Sequence, residues 1–317
     1  MEDSPDSALQ REESHSSYIS MRDIDPSPED ETPPEYIHES YFPEKDKDNY
    51  NPPSPPARST TLGLGNHGPV YYLKGLQKYS SYAFTVFATL HITNTSILPL
   101  LTRSVSAADP YLLLTRPYYQ SLPFEPLLIT APIALHISAG LALRLYRRRQ
   151  SVHRYGAESR SDRKRIPWPK LSGTSMLGLA MTPLVLGHAF INRVIPLWYE
   201  GGSANVGLEY VSHGFAKHPI ISYAGFTVLV GVGSWHIVWG WAKWLALTPA
   251  QVTSYGQQAQ LRKKRRFYVI NGVAFAVASL WLAGGLGIVG RGGEATGWLG
   301  REYDELYRRI PIIGQWL

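Results

Sequence analysis

Four histidines carry the most specific chemistry in this chain. His91 and Pro99 stand eight residues apart in HITNTSILP, and His188 and Pro196 stand eight apart in HAFINRVIP. Farther along, 136–142 reads HISAGLA and 236–242 reads HIVWGWA, a shared H-I-x-x-G-x-A frame. The copies are offset by 97 residues at the first histidine and by 100 at the second. Neutral imidazole on a helix is a good axial ligand for haem iron. Gly140 and Gly240 follow their histidines by four residues, one turn away on the same helix face. A missing side chain there leaves room for a flat macrocycle. His136 and His236 are therefore the first candidate haem ligands. His91 and His188, on the preceding helices, are a secondary pair, for another haem or as hydrogen-bond donors. A structural reading stays open beside this one: the four rings bond between helices, and the glycines allow close helix approach.

Cysteine is absent from all 317 residues. That excludes disulfides, thiolate-bound haem, cysteine-ligated iron–sulfur clusters, thiol catalysis and cysteine-based zinc sites. No G-x-S-x-G frame supports a hydrolase, and neither a Walker loop nor a G-x-G-x-x-G turn opens a helix after a strand. The glycine-rich run GGLGIVGRGG at 284–293 falls at the exit of an apolar segment, where a helix end is expected. The chain reads as no enzyme. Haem b is the one cofactor its residues suggest, and no metal beyond that iron is expected.

These histidines need membrane helices to position them. Five segments, 79–101, 127–146, 175–197, 220–247 and 267–289, are long and apolar enough to cross a bilayer, which takes ~20 residues. Helix is the default for each, because an open strand leaves backbone groups unsatisfied in lipid. The first is diluted by Ser and Thr. His136 precedes Arg144 by eight residues and His236 precedes Lys243 by seven. Both rings then lie ~10–12 Å from one membrane edge at ~1.5 Å per residue, the equal depth that two axial ligands require. Each repeat copy is a two-helix hairpin, and two crossings restore the original direction, so the copies are parallel. The expected fold is an all-α membrane protein: five transmembrane helices, built from two repeated two-helix hairpins plus one helix, behind a disordered N-terminal tail. The expected division is a tail at 1–65, a first hairpin at 66–150, a basic linker at 151–172, a second hairpin at 173–250, and a fifth helix with an amphipathic end at 251–317.

Charge sets the orientation. The 147–170 linker holds nine Lys/Arg and the 248–266 linker holds five, packed as Arg262-Lys263-Lys264-Arg265-Arg266. The linkers on the other side hold two (Arg103, Arg116) and one (Lys217). The positive-inside rule puts both basic linkers, and the N-terminus with them, in the cytosol. The four arginines after the fifth span run against that rule. Basic runs at span ends meet anionic headgroups, and nucleic acid is not expected as a partner. In 297–317, Trp298, Leu299, Tyr303, Leu306, Tyr307 and Ile310 recur every three or four residues, a pattern that predicts an interfacial amphipathic helix. Thr93, Asn94, Asn192 and Arg193, near the ends of the first helices, are the polar groups that would line a path for lipid between leaflets.

The tail is a different polymer. Residues 1–60 hold 15 Asp/Glu against five Lys/Arg and ten of the 24 prolines. With the overall charge at +6, the tail is −10 and the remainder +16. The mean hydropathy of −0.17 averages these two parts and describes neither. Such a tail cannot bury enough apolar surface to offset its ordering entropy. Its start, MEDSPDSALQREESH, reads as neither a secretory signal nor an Arg-rich presequence. Apolar islands at Tyr18-Ile19, Met21, Ile24, Tyr36-Ile37 and Tyr41-Phe42 are candidate linear motifs.

Two family resemblances follow from these residues. H-I-x-x-G resembles the second-helix signature of the succinate dehydrogenase membrane-anchor subunits, small cytochrome b proteins, in which the histidine is an axial haem ligand. That resemblance implies His136 and His236 as ligands. The family's arginine after the glycine is missing, since Ala142 and Ala242 stand there. The broader resemblance spans nearly the whole chain: an acidic Pro-rich tail, a duplicated hairpin with these histidines, five spans and a Tyr-rich end. It is to the fungal mitochondrial outer-membrane adaptors of the Mdm-ten complementing protein family. It implies a multi-pass mitochondrial outer-membrane scaffold with a cytosolic N-terminus. Its role would be to recruit a bridge-like lipid-transfer protein of the vacuolar-protein-sorting-thirteen class to membrane contact sites, in support of lipid homeostasis. The recruiting motif of such adaptors resembles Φ-x-x-Φ-x-P-x-P, with Φ apolar. Met21-Arg22-Asp23-Ile24-Asp25-Pro26-Ser27-Pro28 fits it, so Met21, Ile24, Pro26 and Pro28 are the expected partner contacts. Prolines bias the segment toward an extended form and lower its ordering cost. The alternative function is a haem b membrane protein of the cytochrome b type that transfers electrons.

Overall fold

The computed structural model describes residues 67–311 and residue 314. Among these the structure is helical and without strands. Five stretches are long and apolar enough to cross a membrane: Pro69–Thr102, Pro126–Arg154, Gly173–Glu200, Pro219–Gln251 and Gln257–Arg291. The first comprises α1 (Pro69–Ile92), a π turn (Thr93–Ile97) and α2 (Leu98–Thr102). After α3 (Val105–Thr115) and α4 (Pro117–Gln120), a π turn at Pro126–Thr130 opens α5 (Ala131–Arg154). A short α6 (Arg160–Arg165) lies in the linker to α7 (Gly173–Ala189), which passes through a π turn at Phe190–Val194 into α8 (Ile195–Glu200). Then come α9 (Leu208–Lys217), α10 (Pro219–Trp244), α11 (Gln257–Gly285) and α12 (Gly297–Arg308).

Local chemistry explains these bounds. Prolines stand in the first turn of α1, of the helical stretch that leads into α5 (Pro126) and of α10, where a missing N–H costs nothing. Ser172 caps α7 by accepting from the Ser175 N–H at 3.2 Å. The polar residues of α1 fit an apolar setting because their hydroxyls bond one turn back: Ser81 to the Lys78 carbonyl, Thr85 to Ser81, and Thr89 to Thr85, all within 2.8 Å. The π turns at Thr93–Ile97 and Phe190–Val194 come just before the buried Pro99 and Pro196. A proline ring clashes with the turn before it, and a widened turn accommodates it.

α1 packs on α5, and α7 packs on α10. α11 packs on α10 and against the first π turn. At that second contact a Cβ on Gly284 would lie 2.0 Å from the Ser96 carbonyl. The bare glycine brings the backbones together, and the buried Ser96 hydroxyl donates to the Trp281 carbonyl at 2.7 Å. Tyr82 and Trp241 stack at 4.8 Å and join the two hairpins.

Charge divides sharply along the bundle. From α2 to the π turn at Pro126–Thr130, from the end of α7 to α9, and beyond α11, eight Lys/Arg meet eight Asp/Glu. The whole +16 of residues 61–317 therefore falls at the other end, where α1 begins. The four arginines that ran against the positive-inside rule are offset by neighbouring carboxylates, as in the Arg309–Glu305 pair at 2.6 Å. At the basic end Trp168 sits under Arg144 and Arg148, with guanidinium-to-ring distances of 5.5 and 5.3 Å. This contact folds the linker back onto α5.

Several elements differ from the sequence reading. The run 262–266 lies inside the first turns of α11, not in a linker. An extra helix, α9, stands between the third and fourth spans. Helix α12 does not lay its apolar face in an interface: Tyr303, Leu306 and Tyr307 are buried together with Tyr210 of α9 and Ile195 of α8.

Candidate functional site

The fold brings the four histidines together in two pairs, each joining a helix of the packed α1–α5 pair to one of the packed α7–α10 pair. The rings of His136 (α5) and His236 (α10) have centres 6.2 Å apart, with planes at 89°. The rings of His91 (α1) and His188 (α7) are 5.8 Å apart, with planes at 74°. All four side chains are partly buried. Met21, Ile24, Pro26 and Pro28 lie outside the described residues.

The inner pair, His136 and His236, is held symmetrically. His136 Nδ1 lies 3.0 Å from the Gln77 carbonyl, and His236 Nδ1 lies 3.1 Å from the Thr174 carbonyl. A carbonyl only accepts, so each Nδ1 carries the proton and donates. Each ring is thereby fixed as the tautomer with a bare Nε2, and no hydrogen bond among the described residues reaches that Nε2. Gln77 and Thr174 are 97 residues apart, the offset of His91 and His188 and also of the two π turns. Gly178 packs against the His236 ring, since a Cβ there would lie 2.8 Å from Cε1. The two frame glycines differ: a Cβ on Gly240 would meet nothing within 4 Å, whereas one on Gly140 would meet the Gln77 side-chain amide at 2.9 Å. Among the described residues no group of three or more His, Asp or Glu forms a metal site.

The outer pair has different neighbours. Phe87 stacks on His91 at 5.3 Å, and Phe226 meets His188 edge-on at 5.7 Å. The Asn192 amide donates to the His188 carbonyl at 2.8 Å and approaches Nδ1 of the same residue at 3.4 Å. Beyond this pair, Arg116 donates to the carbonyls of Ser203, at 2.6 Å, and Val206. Burial pulls its pKa below the usual arginine value. Its Nε is buried and has no hydrogen-bond partner among the described residues.

Most of the polar residues proposed to line a lipid path are committed elsewhere. The Asn94 amide donates to the Leu90 carbonyl at 2.7 Å, and Asn192 is engaged as above. Arg193 forms a two-pronged pair with Glu125 across the hairpins, at 2.7 and 2.6 Å, and also donates to the Ser203 hydroxyl. This clamp carries no motif, and sequence reasoning missed it.

The end opposite the basic linkers is closed by α9 and α12. Tyr210 and Tyr307 stack at 4.7 Å, and the Tyr307 hydroxyl donates to the Tyr210 carbonyl at 3.2 Å. Burial raises the pKa of Tyr210, Tyr303 and Tyr307 above the usual phenol value. His213 is fully buried; its Nδ1 accepts from the Ala295 N–H at 3.2 Å, so Nε2 donates to Asp304 at 3.0 Å. Partial burial pushes the Asp304 carboxyl up, but the His213 hydrogen bond and the Lys217 charge outweigh it and hold the pKa below its ordinary value.

No curated protein and no solved structure matches the chain. Residues 183–294 match the family model described as MDM10-complementing protein 1, transmembrane domain. That stretch includes His188 and His236, one member of each pair. With five candidate spans the chain is a multi-pass membrane protein, and over residues 183–294 it is similar to the transmembrane domain described as that of MDM10-complementing protein 1.

Proposed function

We propose that the chain is a mitochondrial outer-membrane adaptor, with its N-terminal tail in the cytosol. It recruits a bridge-like lipid-transfer protein of the vacuolar-protein-sorting-thirteen class to contact sites and so supports lipid homeostasis, without catalysis of its own. The match over residues 183–294 carries this reading. Charge supports the orientation, because the whole +16 lies at the end where the first span begins. Met21, Ile24, Pro26 and Pro28 are the partner contacts: two apolar residues followed by a P-x-P pair. The test is the position of the fluorescently tagged transfer protein in cells with and without the chain. Loss of its mitochondrial fraction in cells lacking the chain supports recruitment; an unchanged distribution sinks it.

The geometry of the inner pair favours a second, compatible reading: the bundle holds a b-type haem between His136 and His236. Two metal–imidazole bonds of ~2.0–2.1 Å, together with the two ring radii, span about 6 Å, which matches the 6.2 Å between ring centres. Both imidazoles have Nδ1–H on a carbonyl and Nε2 bare, as axial ligation requires. The haem, when bound, supplies one-electron chemistry. Gln77 and Thr174 would orient the ligands. A Soret band in the purified protein, lost in His136→Ala, supports this reading. A colourless preparation from haem-replete cells contradicts it.

A further inference from the structure

We infer that α3, α4 and the chain on to Pro126 form a re-entrant element sunk into the leaflet opposite the basic linkers, with Tyr111, Leu114, Tyr118, Leu122 and Phe124 against lipid acyl chains. Three contacts set its depth. The first span ends at Thr102, and α3 then turns back to pack on α2 and on the π turn at Thr93–Ile97. The opening of the second span, Pro126–Thr130, packs on α1, which ends at Ile92, ten residues short of Thr102. That is a retreat of ~15 Å at ~1.5 Å per residue. Between these two contacts, the buried Tyr119 ring meets Phe87 edge-on at 5.2 Å. Phe87 lies eight residues into the apolar run that starts at Tyr79. Eight residues are ~12 Å, close to the middle of a hydrocarbon core ~30 Å thick.

The side chains are sorted as lipid demands. Asp109, Arg116 and Glu125 are the charged groups between residues 104 and 130, and all three turn to the bundle. Asp109 accepts from the Leu208 N–H at 2.6 Å, Arg116 donates to the Ser203 and Val206 carbonyls, and Glu125 pairs with Arg193. Charge at membrane depth is kept where protein partners it. Ala108, Leu112 and Tyr119 form the buried side. Tyr111, Leu114 and Tyr118 recur at helical spacing on the other side, and Leu114 and Tyr118 are 71% and 67% exposed. Exposed Leu101 and Leu127, at the ends of the flanking spans, bracket this face in the chain. The lipid that meets those spans is therefore its occupant.

The backbone suits the same setting. Pro110, Pro117 and Pro123 have no N–H to satisfy. The Thr115 and Ser121 hydroxyls donate back to the Tyr111 and Pro117 carbonyls. Unpaired groups of either kind are costly in hydrocarbon. Helix α9, between the third and fourth spans, is covered by protein instead, because α12 docks on it.

The chain has no cysteine, so a single introduced one takes a spin label alone. Leu114→Cys, Tyr118→Cys and Leu122→Cys are made in the full chain, placed in phosphatidylcholine vesicles, and read by power saturation against oxygen and a water-soluble nickel chelate. Phe275→Cys, at an exposed position of α11, is the lipid reference, and Glu158→Cys, in the basic linker, is the aqueous one. Oxygen access is expected to exceed nickel access at all three positions, as at Phe275→Cys. Nickel access like that of Glu158→Cys overturns the inference, because the face then meets water. Exclusion of both reagents also overturns it, because protein then covers the face. In the unsubstituted chain, hydroxyl-radical oxidation should reach Tyr255, which is 98% exposed, and spare Tyr118. Equal oxidation of the two overturns the inference even where a variant fails to fold.

Discussion

Gln77 and Thr174 stand 97 residues apart, and each gives its backbone carbonyl to the Nδ1–H of a histidine on the neighbouring helix, at 3.0 and 3.1 Å. These histidine-orienting contacts thus share the register of the first-helix histidines. Because the acceptors are main-chain atoms, the side chains at these positions are free to differ, and they do.

Gly178→Ala tests the positioning of His236. The new methyl would lie 2.8 Å from Cε1 of that ring, so the ring must shift away from Thr174. Haem affinity is expected to fall ~10–100-fold, read by haem titration. Gly187→Ala, where a Cβ meets nothing within 4 Å, is the control and should leave it unchanged.

The Arg193–Glu125 clamp ties the second hairpin to the start of α5. Both side chains are a quarter exposed, which moderates its worth. Glu125→Ala leaves the guanidinium without its two-pronged partner and should cost roughly 1–3 kcal/mol, seen as a lower unfolding temperature in detergent. Restoring the unfolding temperature by adding Arg193→Leu would mark the cost as that of the unpaired cation.

Helix α12 docks through a contact that tolerates no side chain at Gly214. A Cβ there would lie 2.1 Å from the Tyr307 hydroxyl. Gly214→Ala should destabilise the docked helix by ~1–3 kcal/mol. Trypsin should then cut after Arg301, Arg308 and Arg309 faster than in the parent chain, while cleavage at the basic linker stays constant.

Acid should loosen the same cap. The folded-state pKa of Asp304 is held below its ordinary value of 3.8. Its stabilising effect is therefore complete above that value and is lost as pH falls below it. Amide exchange in 297–308, corrected for intrinsic rate, should accelerate below that pH. Asp304→Asn should remove the step while keeping an acceptor for His213.

The spans and the histidine pairing were legible because both are written in side chains: long apolar runs, and imidazoles recurring in one frame. Other features were not, for definable reasons. The Gln77 and Thr174 contacts use carbonyls, which every residue has. Helix α9 is short and mixes Glu209, His213 and Lys217 with apolar residues, so it reads as linker. The spacing of Tyr303, Leu306 and Tyr307 did identify an amphipathic face. Spacing says nothing of what covers that face, and α9 rather than lipid does so. The Arg193–Glu125 clamp joins residues 68 apart that share no motif.

The most direct test of the adaptor reading is the mitochondrial fraction of the tagged transfer protein in cells expressing the full chain with Pro26→Ala and Pro28→Ala together. Expression and mitochondrial residence of the variant are checked in the same cells. The expected result is a variant that inserts normally while the partner leaves mitochondria. Partner recruitment at the wild-type level would contradict the assignment of Met21, Ile24, Pro26 and Pro28.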